Sequence, residues 1–287
     1  MKVLRWGLRL GLLVIAATTL VGFAGRLHPA ADSVSLLRFP FGLLCLLGIL
    51  VNWGAVVRLA VTGVGVAAAI TTLPYFVMQH EGGSLRVYTK NVWYRNAELP
   101  ALAADIMESD ADVVLLQEVS TRNDQLLALL AEGYPHQHLC RSARWSGIAV
   151  LSRAPFLQTA CTDGRAATAA QIMHDDSPVW VVSTHLFWPH PYNNAGATAS
   201  VIRMIAAFDG PMVIGGDFNI FPWAASIGQI RQVADLRTAG PLRATYHLQG
   251  TPLFLDHLHG PGGGAVRYRP YLGSDHRGVV GDMRLTP

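Results

Sequence analysis

The sequence predicts an α+β chain in which two stacked β-sheets carry helices on their outer faces, preceded by helices that cross a membrane. Three observations lead to this. Strand-like apolar runs come in groups, with helices after only some of them and no internal repeat, which favours stacked sheets over regular βαβ winding. Several of these runs close on polar residues, as VIGGDFNI does with Asp217 and Asn219, so polar groups collect at strand ends. A chain of 287 residues with 51% hydrophobic residues, 14% charged residues and a mean hydropathy of +0.30 is also too apolar for an ordinary soluble enzyme.

The apolar excess sits at the N-terminus. LGLLVIAATTLVGFA, from Leu10 to Ala24, carries no charge and is slightly short for a span unless Arg9 snorkels to the interface. Phe39 to Val57 and Leu59 to Met78 are almost continuously apolar, and only Arg58 interrupts them. Each is close to the roughly 20 residues that cross a bilayer, and neither shows the polar face of a surface helix. Lys2, Arg5 and Arg9 ahead of a short apolar stretch fit a secretory signal as well as a first span. Both readings end alike. A first helix with its basic end inside, or a cleaved signal followed by a helical hairpin, leaves everything after about residue 80 outside the cytoplasm. Residues 26–38 then lie outside and Arg58 falls in the cytoplasmic turn. The expected organisation is a membrane region over residues 1–80, with about three transmembrane helices, and a second domain over residues 81–287, in a bacterial inner or plasma membrane.

Cys45 falls mid-span as a small apolar packer. Cys140 and Cys161 flank the strand GIAVLSR; they either face each other across neighbouring strands and pair in an oxidising compartment, or remain two buried thiols. Cys/His zinc spacing is absent. Net charge is +3 with a pI near 8.9, and Lys occurs only at Lys2 and Lys90. Arg141 with Arg144, and Arg267 with Arg269, either solvate a face or guide phosphates, while no dense basic run marks a nucleic-acid track.

After the linker EGG, Glu81 to Gly83, the elements follow in order. In SLRVYTKNVWY the residues Leu85, Val87, Thr89 and Asn91 alternate onto one strand face, so Asn91 ends a buried row. Residues 96–109 read as a helix with Leu99, Leu102, Ile106 and Met107 inward, and ADVVLLQEV is a buried strand closing on Glu118. A second helix covers Asn123 to Ala131. HQHLC, GIAVLSR, TAAQIMH and VWVVSTHL form a meander whose last strand ends at His185. Ala197 to Phe208 is helical, PMVIGGDFN is a central strand and Ala224 to Ile230 a shorter helix. TPLFLDHLH, the turn PGGG, a short strand from Val266 to Arg269 and GSDHRGVVGDM complete the chain. GxGxxG, GxxxxGKS and GxSxG are all missing, which removes the main support for nucleotide-fold and serine-hydrolase readings.

KNVW at Asn91, LLQEVS at Glu118, STHLFW at His185, GGDFN at Asp217 and Asn219, LDHLH at Asp256 and SDHRG at Asp275 and His276 each put a polar group in or beside a short apolar run. An unpaired charge there is expensive unless something binds it. In this order the motifs resemble those of the endonuclease/exonuclease/phosphatase (DNase I-like) superfamily, over roughly residues 84–287, with the membrane part unexplained by it. The resemblance implies a four-layer α/β/β/α sandwich and hydrolysis of a phosphate ester with Mg²⁺, or Mn²⁺ in its place. Such hard cations take oxygen ligands and neutralise nonbridging phosphate oxygens. By resemblance Glu118 anchors the metal, Asn91 supports it, and Asp275 is a further ligand or the partner of one. Asp217 orients and deprotonates the attacking water, and Asn219 holds that water or the phosphate. His185 and His276 meet the charge on the pentacoordinate phosphorus, and Asp256 sets the tautomer of His276.

Plainer structural readings compete with some of these roles. Asn91 alone also fits a strand cap, and Glu118 a helix N-terminal acid for a segment near Thr121. His190, His257 and His259 hold no motif position and read as surface or loop histidines. Arg165, Arg277, Trp188 and Tyr246 either line the cleft or pack. The chain departs from the resemblance in one place: DNase I-like members put an acid in the meander beside the STHL histidine, and Gly133 to Thr162 contains neither Asp nor Glu. His185 therefore needs another partner, for which Ser142 and Trp145 are candidates. The expected function is a membrane-anchored, Mg²⁺-dependent phosphodiesterase whose partners are the bilayer and a phosphodiester. Family and charge favour nucleic acid as substrate, whereas tethering favours the headgroup of a phospholipid, phosphoinositide or sphingomyelin. A noncatalytic binding module is the competing class.

Overall fold

A computed structural model describes residues 2–77, 81–164 and 166–286 of the chain. Arg165, the side chain of Ser142 and the end of the third span at Met78 lie outside the described residues. The apolar N-terminus forms α1 (Lys2–Val21), a short α2 (Pro29–Val34), α3 (Arg38–Leu46), α4 (Ala55–Thr72) and a single turn, α5 (Pro74–Val77). Three helical segments, Val3–Val21, Pro29–Leu50 and Ala55–Val77, are long and apolar enough to cross a membrane. In place of the turn expected at Arg58, the chain reverses at residues 51–54, where Asn52 and Gly54 interrupt the apolar run, so Arg58 sits in the first turn of α4. Glycine lets α3 and α4 approach closely: a Cβ on Gly42 would meet that of Ala68 at 2.4 Å, and one on Gly65 would meet the Leu46 nitrogen at 2.7 Å. Cys45 is fully buried in this bundle, with Ala16 and Val61.

The rest is a sandwich. Its first sheet is formed by β1 (Leu85–Asn91), β2 (Val113–Gln117), β3 (His136–Ala143), β4 (Ser146–Ser152), β13 (Gly264–Tyr268) and β14 (Val279–Met283), in the order β13-β14-β1-β2-β4-β3. The second holds β5 (Phe156–Cys161), β6 (Ala167–His174), β7 (Ser177–His185), β8 (Met212–Asp217), β9 (Arg237–Thr238) and β12 (Asp256–Gly260), in the order β5-β6-β7-β8-β12-β9. A hairpin of β10 (Tyr246–Leu248) and β11 (Thr251–Leu253) stands apart. Leu85, Val87, Leu115 and Val150 of the first sheet pack on Ile172, Val181, Val213 and Leu258 of the second. The outer face of the first sheet is covered by α6 (Leu99–Glu108) and α7 (Gln125–Leu130), that of the second by α8 (Asn194–Ile205) and α9 (Ala225–Val233). The result is the expected four-layer α/β/β/α arrangement.

Pairing brings the strand ends to one edge. Parallel β1 and β2 set Asn91 beside Gln117, and parallel β7 and β8 set His185 beside Asp217. β12 runs antiparallel to β8, so its first residue, Asp256, lies opposite Asp217. β14 runs antiparallel to β1 with Val279 opposite Thr89, which delivers the preceding Asp275 and His276 to the end of β1.

Four expectations need correction. The meander is divided: β3 and β4 belong to the first sheet and β5 to β7 to the second. Cys140 and Cys161 are disulfide-bonded, and they join the edge strands of the two sheets rather than neighbours within one. Met107 is 41% exposed, because one helical step carries it away from the buried Leu99, Leu102 and Ile106. His257 and His259 are fully buried on β12. Their rings form a polar chain with His257 Nδ1 3.3 Å from His259 Nε2 and His259 Nδ1 3.1 Å from Thr238 Oγ1, while Phe218 stacks on His257. Burial pushes the imidazole of His257 down to about 4 and that of His259 well below its ordinary value.

Candidate active site

The glycines before Asp217 are dictated by crowding. Gly216 has φ +146°, and a Cβ there would lie 1.9 Å from the Thr184 carbonyl oxygen; one on Gly215 would lie 2.3 Å from Leu258 Cδ2. β8 can therefore lie between β7 and β12 only with glycine at both places. The chain then turns through Asn219 at φ +52°, a left-handed position that Asn tolerates better than most residues. Its backbone N–H donates to Asp217 Oδ1 at 2.9 Å, and its Nδ2 donates to Asp217 Oδ2 at 3.2 Å and to the Leu186 carbonyl at 2.9 Å.

Asn91 joins the two sheets at this edge. Its Nδ2 donates at 3.0 Å to both Glu118 Oε1 and Asp217 Oδ2, and its Oδ1 accepts from the Trp93 N–H at 2.9 Å, so the amide can face only one way. Glu118 sits just past β2 at φ +58°, a strained setting for Glu, and its Oε2 accepts from the Tyr94 N–H at 3.0 Å. His185 Nε2 lies 3.6 Å from Asp217 Oδ2 and 3.8 Å from Glu118 Oε1. His276 is buried, with Nδ1 2.7 Å from Asp256 Oδ2 and Nε2 3.8 Å from Asp217 Oδ2. Burial raises the Asp217 carboxyl above its usual range. Burial opposes charge on His276 too, but Asp256 and Asp217 outweigh it and raise the imidazole well into the protonated range.

Glu118, His185, Asp217, Asn219, Asp275 and His276 open onto one cavity of about 590 Å³. Asn91 and Asp256 stand behind it, each hydrogen-bonded to a group that lines it. Trp188 and Tyr246 form part of the wall, with the Tyr246 ring 4.8 Å from that of His276. Trp145 also lines the cavity, and the carboxylates of Asp217 and Glu118 lie 3.6 and 3.8 Å from His185 Nε2. Arg277 packs: its Nε donates to the Arg269 carbonyl and its guanidinium lies 5.6 Å over Tyr268. His190 is exposed on the loop after β7, as expected.

Sequence reasoning missed the supports. Lys90 is fully buried, and its Nζ donates to the carbonyls of His276 at 2.9 Å and Pro270 at 3.0 Å, pinning the loop that carries Asp275 and His276. Burial pushes its ammonium down to about 8. Ser274 Oγ donates to the Asn91 carbonyl at 2.7 Å and accepts from the His276 N–H, closing the same loop onto β1. Gln117 Nε2 donates to Ser183 Oγ at 3.0 Å, a polar tie between the sheets. The one available signal was a lone lysine inside an apolar strand of a chain almost free of lysine.

Residues 88–276 match the model of the Endonuclease/Exonuclease/phosphatase family. The chain belongs to that family. Solved structures agree on the fold of this family member. An endonuclease/exonuclease/phosphatase family protein from Leptotrichia buccalis is 16% identical, with a TM-score of 0.56 over 70% of this chain and 100% of that one. The 3′ phosphatase NExo from Neisseria, bound to a product DNA hairpin, gives 18%, 0.56, 70% and 99%. A mutant of beta toxin from Staphylococcus aureus with bound magnesium ions gives 17%, 0.53, 70% and 100%. No curated protein sequence matches the chain.

Among the described residues that line or back the cavity, two groups of side chains could receive a divalent ion. Asp217, Asp256 and His276 each offer a ligand atom, and these atoms lie within 4.8 Å of one another. The His276–Asp256 hydrogen bond already occupies one face of that group, and a protonated imidazole is no ligand. Glu118 and the solvent-exposed Asp275 form an all-oxygen set at the open side of the cavity, the donor chemistry and water access that Mg²⁺ prefers. Burial raises the Asp275 carboxyl, His276 works against that rise, and Glu118 adds to it, as expected of two acids facing one space. The residues present fit a hard cation there.

Proposed function

We propose that the chain is a metal-dependent phosphodiesterase whose reaction is in-line attack of water on a phosphodiester. One observation carries this: Glu118, Asp217, His185 and His276, from four separate segments, open onto a single cavity with Asn91 bonded to two of them. Glu118 and Asp275 would hold Mg²⁺, or Mn²⁺ in its place, and the ion would supply positive charge for the nonbridging oxygens. Asn91 positions Glu118 and Asp217 through the two bonds of its Nδ2, while its oxygen accepts from the Trp93 N–H. Asp217, fixed by Asn91 and Asn219, orients the water and takes its proton; a carboxyl raised by burial is the better base for that. Asn219 holds the water or the phosphate. His276, kept cationic by Asp256, donates Nε2–H to the developing charge, and His185 does so from the other side of Asp217.

The chain divides near residue 80 into an anchor, residues 1–80, and a catalytic unit, residues 81–287, that faces out of the cytoplasm. Arg5, Arg9 and Arg58 sit at the end of the helices away from the sandwich, where Arg9 donates to the Asn52 carbonyl. Arg26 and Arg38, at the sandwich end, are engaged by Gln232 Oε1 and by the carbonyls of Gly22 and Trp223. A C-terminal reporter active only inside the cytoplasm would refute this topology.

The test of the chemistry is hydrolysis of bis(4-nitrophenyl) phosphate by the full chain in detergent, with Mg²⁺ or EDTA. Turnover should require the metal and vanish in Asp217→Asn and His276→Gln. A noncatalytic binding module would show no metal-dependent turnover at any pH.

A further inference from the structure

The two flanks of the catalytic cavity differ in a way that hydrolysis itself does not require. On one side Trp188 and Tyr246 pack against Phe221, Trp223 and Leu255, and the same aromatic group takes in Phe39 at the start of α3 and Phe76 in α5. The rings of Phe39 and Phe76 are 4.8 Å apart, those of Phe76 and Phe254 5.0 Å, and those of Trp188 and Tyr246 6.1 Å. Aromatic side chains thus run from the ends of the candidate spans to the ring that covers His276.

The seat is made by the same end of every span. Gly25, just past α1, lies against Asp32 and Ala225. Asp32 in α2 accepts from the N–H groups of Ala225 and Ser226 at 2.6 and 3.1 Å, capping α9 from outside the sandwich. Arg38 donates to the Trp223 carbonyl at 3.1 Å, Trp223 Nε1 to the Ser35 carbonyl at 2.9 Å, and the Leu242 N–H to the Tyr75 carbonyl at 2.8 Å. The cavity is therefore fixed beside the plane where the helices leave the bilayer. Leu27, Phe187 and Tyr192 lie on this side 86%, 50% and 65% exposed, and Ser33 Oγ ties the loop bearing the last two to α2 through the His190 carbonyl. Apolar and aromatic groups so placed suit a headgroup region.

The other flank is basic. A cleft of about 350 Å³ is lined by Tyr94, Arg95, Arg122, Arg144 and Trp145 among others; Trp145 also lines the catalytic cavity, and the Tyr94 N–H holds Glu118. Arg141 pairs with Asp124, and Arg269 with Asp105 and Glu108, whereas among the described residues no carboxylate lies within 4.0 Å of the Arg95, Arg122 or Arg144 guanidinium.

We propose that the substrate is a bilayer phospholipid whose headgroup carries a second anionic group beyond the scissile phosphate. This rests on the phosphodiesterase reading. The lipid's apolar part stays in the membrane along the aromatic flank, its scissile phosphate enters the cavity, and the second anion lies on the arginine cleft. One water is consumed, one P–O ester bond breaks, and the products are a phosphomonoester, an alcohol and the proton taken up by Asp217. A nucleic-acid strand would use the arginine cleft too, but it needs cationic contacts on both sides of the scissile phosphate. On the helix side Arg38 is buried against two carbonyls, and Arg26, bonded to the neutral Gln232, is an exposed arginine with no second one beside it, among the described residues, to form a cleft like that of Arg95, Arg122 and Arg144.

The full chain, reconstituted with Mg²⁺ in phosphatidylcholine vesicles doped with phosphatidylinositol 4-phosphate or cardiolipin, is assayed for lipid products by mass spectrometry. A single-stranded oligonucleotide and bis(4-nitrophenyl) phosphate serve as soluble arms. The doped anionic lipid should turn over roughly tenfold or more faster than phosphatidylcholine and the oligonucleotide, and Arg122→Ala/Arg144→Ala should bring the anionic-to-neutral ratio down to near one. Equal rates on neutral and anionic lipid, or a faster rate on the oligonucleotide, would overturn the lipid assignment while hydrolysis of the small diester left the phosphodiesterase reading intact. Metal-independent silence on every substrate, the small diester included, would remove both.

Discussion

The N-terminal helices and the central strands are built from the same residues, yet the structure treats them oppositely. In β2 the run VVLLQ is buried throughout, with Leu115 and Leu116 at 0% exposure. In the three helical segments long and apolar enough to cross a membrane, only 17, 28 and 22% of the most apolar stretches is buried, and Leu10, Leu59 and Ile70 are bare. Side chains left bare in this way suit apolar surroundings, such as the bilayer proposed above. Polar groups divide the same way. Helix-borne Thr18, Thr19 and Thr72 satisfy themselves on carbonyls of the preceding turn, whereas the sandwich gathers its buried carboxylates and imidazoles at one edge, where each holds another. The chemistry proposed for the chain lies at the strand ends.

That contrast can be broken at several points. The largest effect belongs to the sandwich edge: Asp217→Asn, which keeps shape and removes charge, should lower kcat by about 10³-fold with only a small change in thermal unfolding. A matching loss of stability would mean the residue is structural. Next is Gly216→Ala, whose methyl must collide with the Thr184 oxygen at a left-handed φ; roughly 4 kcal/mol of stability should vanish in denaturant unfolding. Asp32→Ala tests the junction. Although the residue lies on the helix side, unfolding of the sandwich should become easier by about 1 kcal/mol because α9 loses its cap, and an unchanged sandwich would show the two regions to be merely tethered.

The smallest effect is a pH dependence. His257 and His259 are held neutral by burial, with folded values below the ordinary 6.5 and that of His257 near 4. Below about pH 6.5 the unfolded chain binds protons that the folded chain refuses, so stability should fall with decreasing pH between about 6.5 and 4, by up to about 1.4 kcal/mol per pH unit for each imidazole. His257→Gln should flatten that slope. A slope unchanged by the substitution would contradict the buried neutral pair.

Much of this was legible from the chain alone, for a physical reason. A charged residue closing an apolar run advertises itself, so Glu118, Asp217 and His276 could be read as neighbours before any fold was known. The α/β/β/α layering followed from the grouping of strands and the motif order. What stayed hidden depended on tertiary placement. Nothing local to HQHLC or TAAQIMH says which sheet each joins, and so the meander was drawn whole. His257 and His259 read as loop residues because alternation on a strand does not tell which face is covered; here Phe218 packs against both rings. Lys90 is marked in the sequence only as a lone lysine inside an apolar strand, and its partners come from the returning 270–276 loop, which gives its ammonium two carbonyls. The docking of residues 26–38 onto α9 was likewise out of reach, since Asp32 and Ala225 meet across nearly two hundred residues.

The most direct measurement is anomalous diffraction from crystals of the full chain soaked in Mn²⁺. A single peak should lie about 2.1 Å from a Glu118 oxygen, within reach of Asp275, and should disappear in Glu118→Gln. A peak seated between Asp256 and His276, or none in the cavity at metal concentrations that support turnover, would contradict the assignment of the ion and with it the roles given to the groups around it.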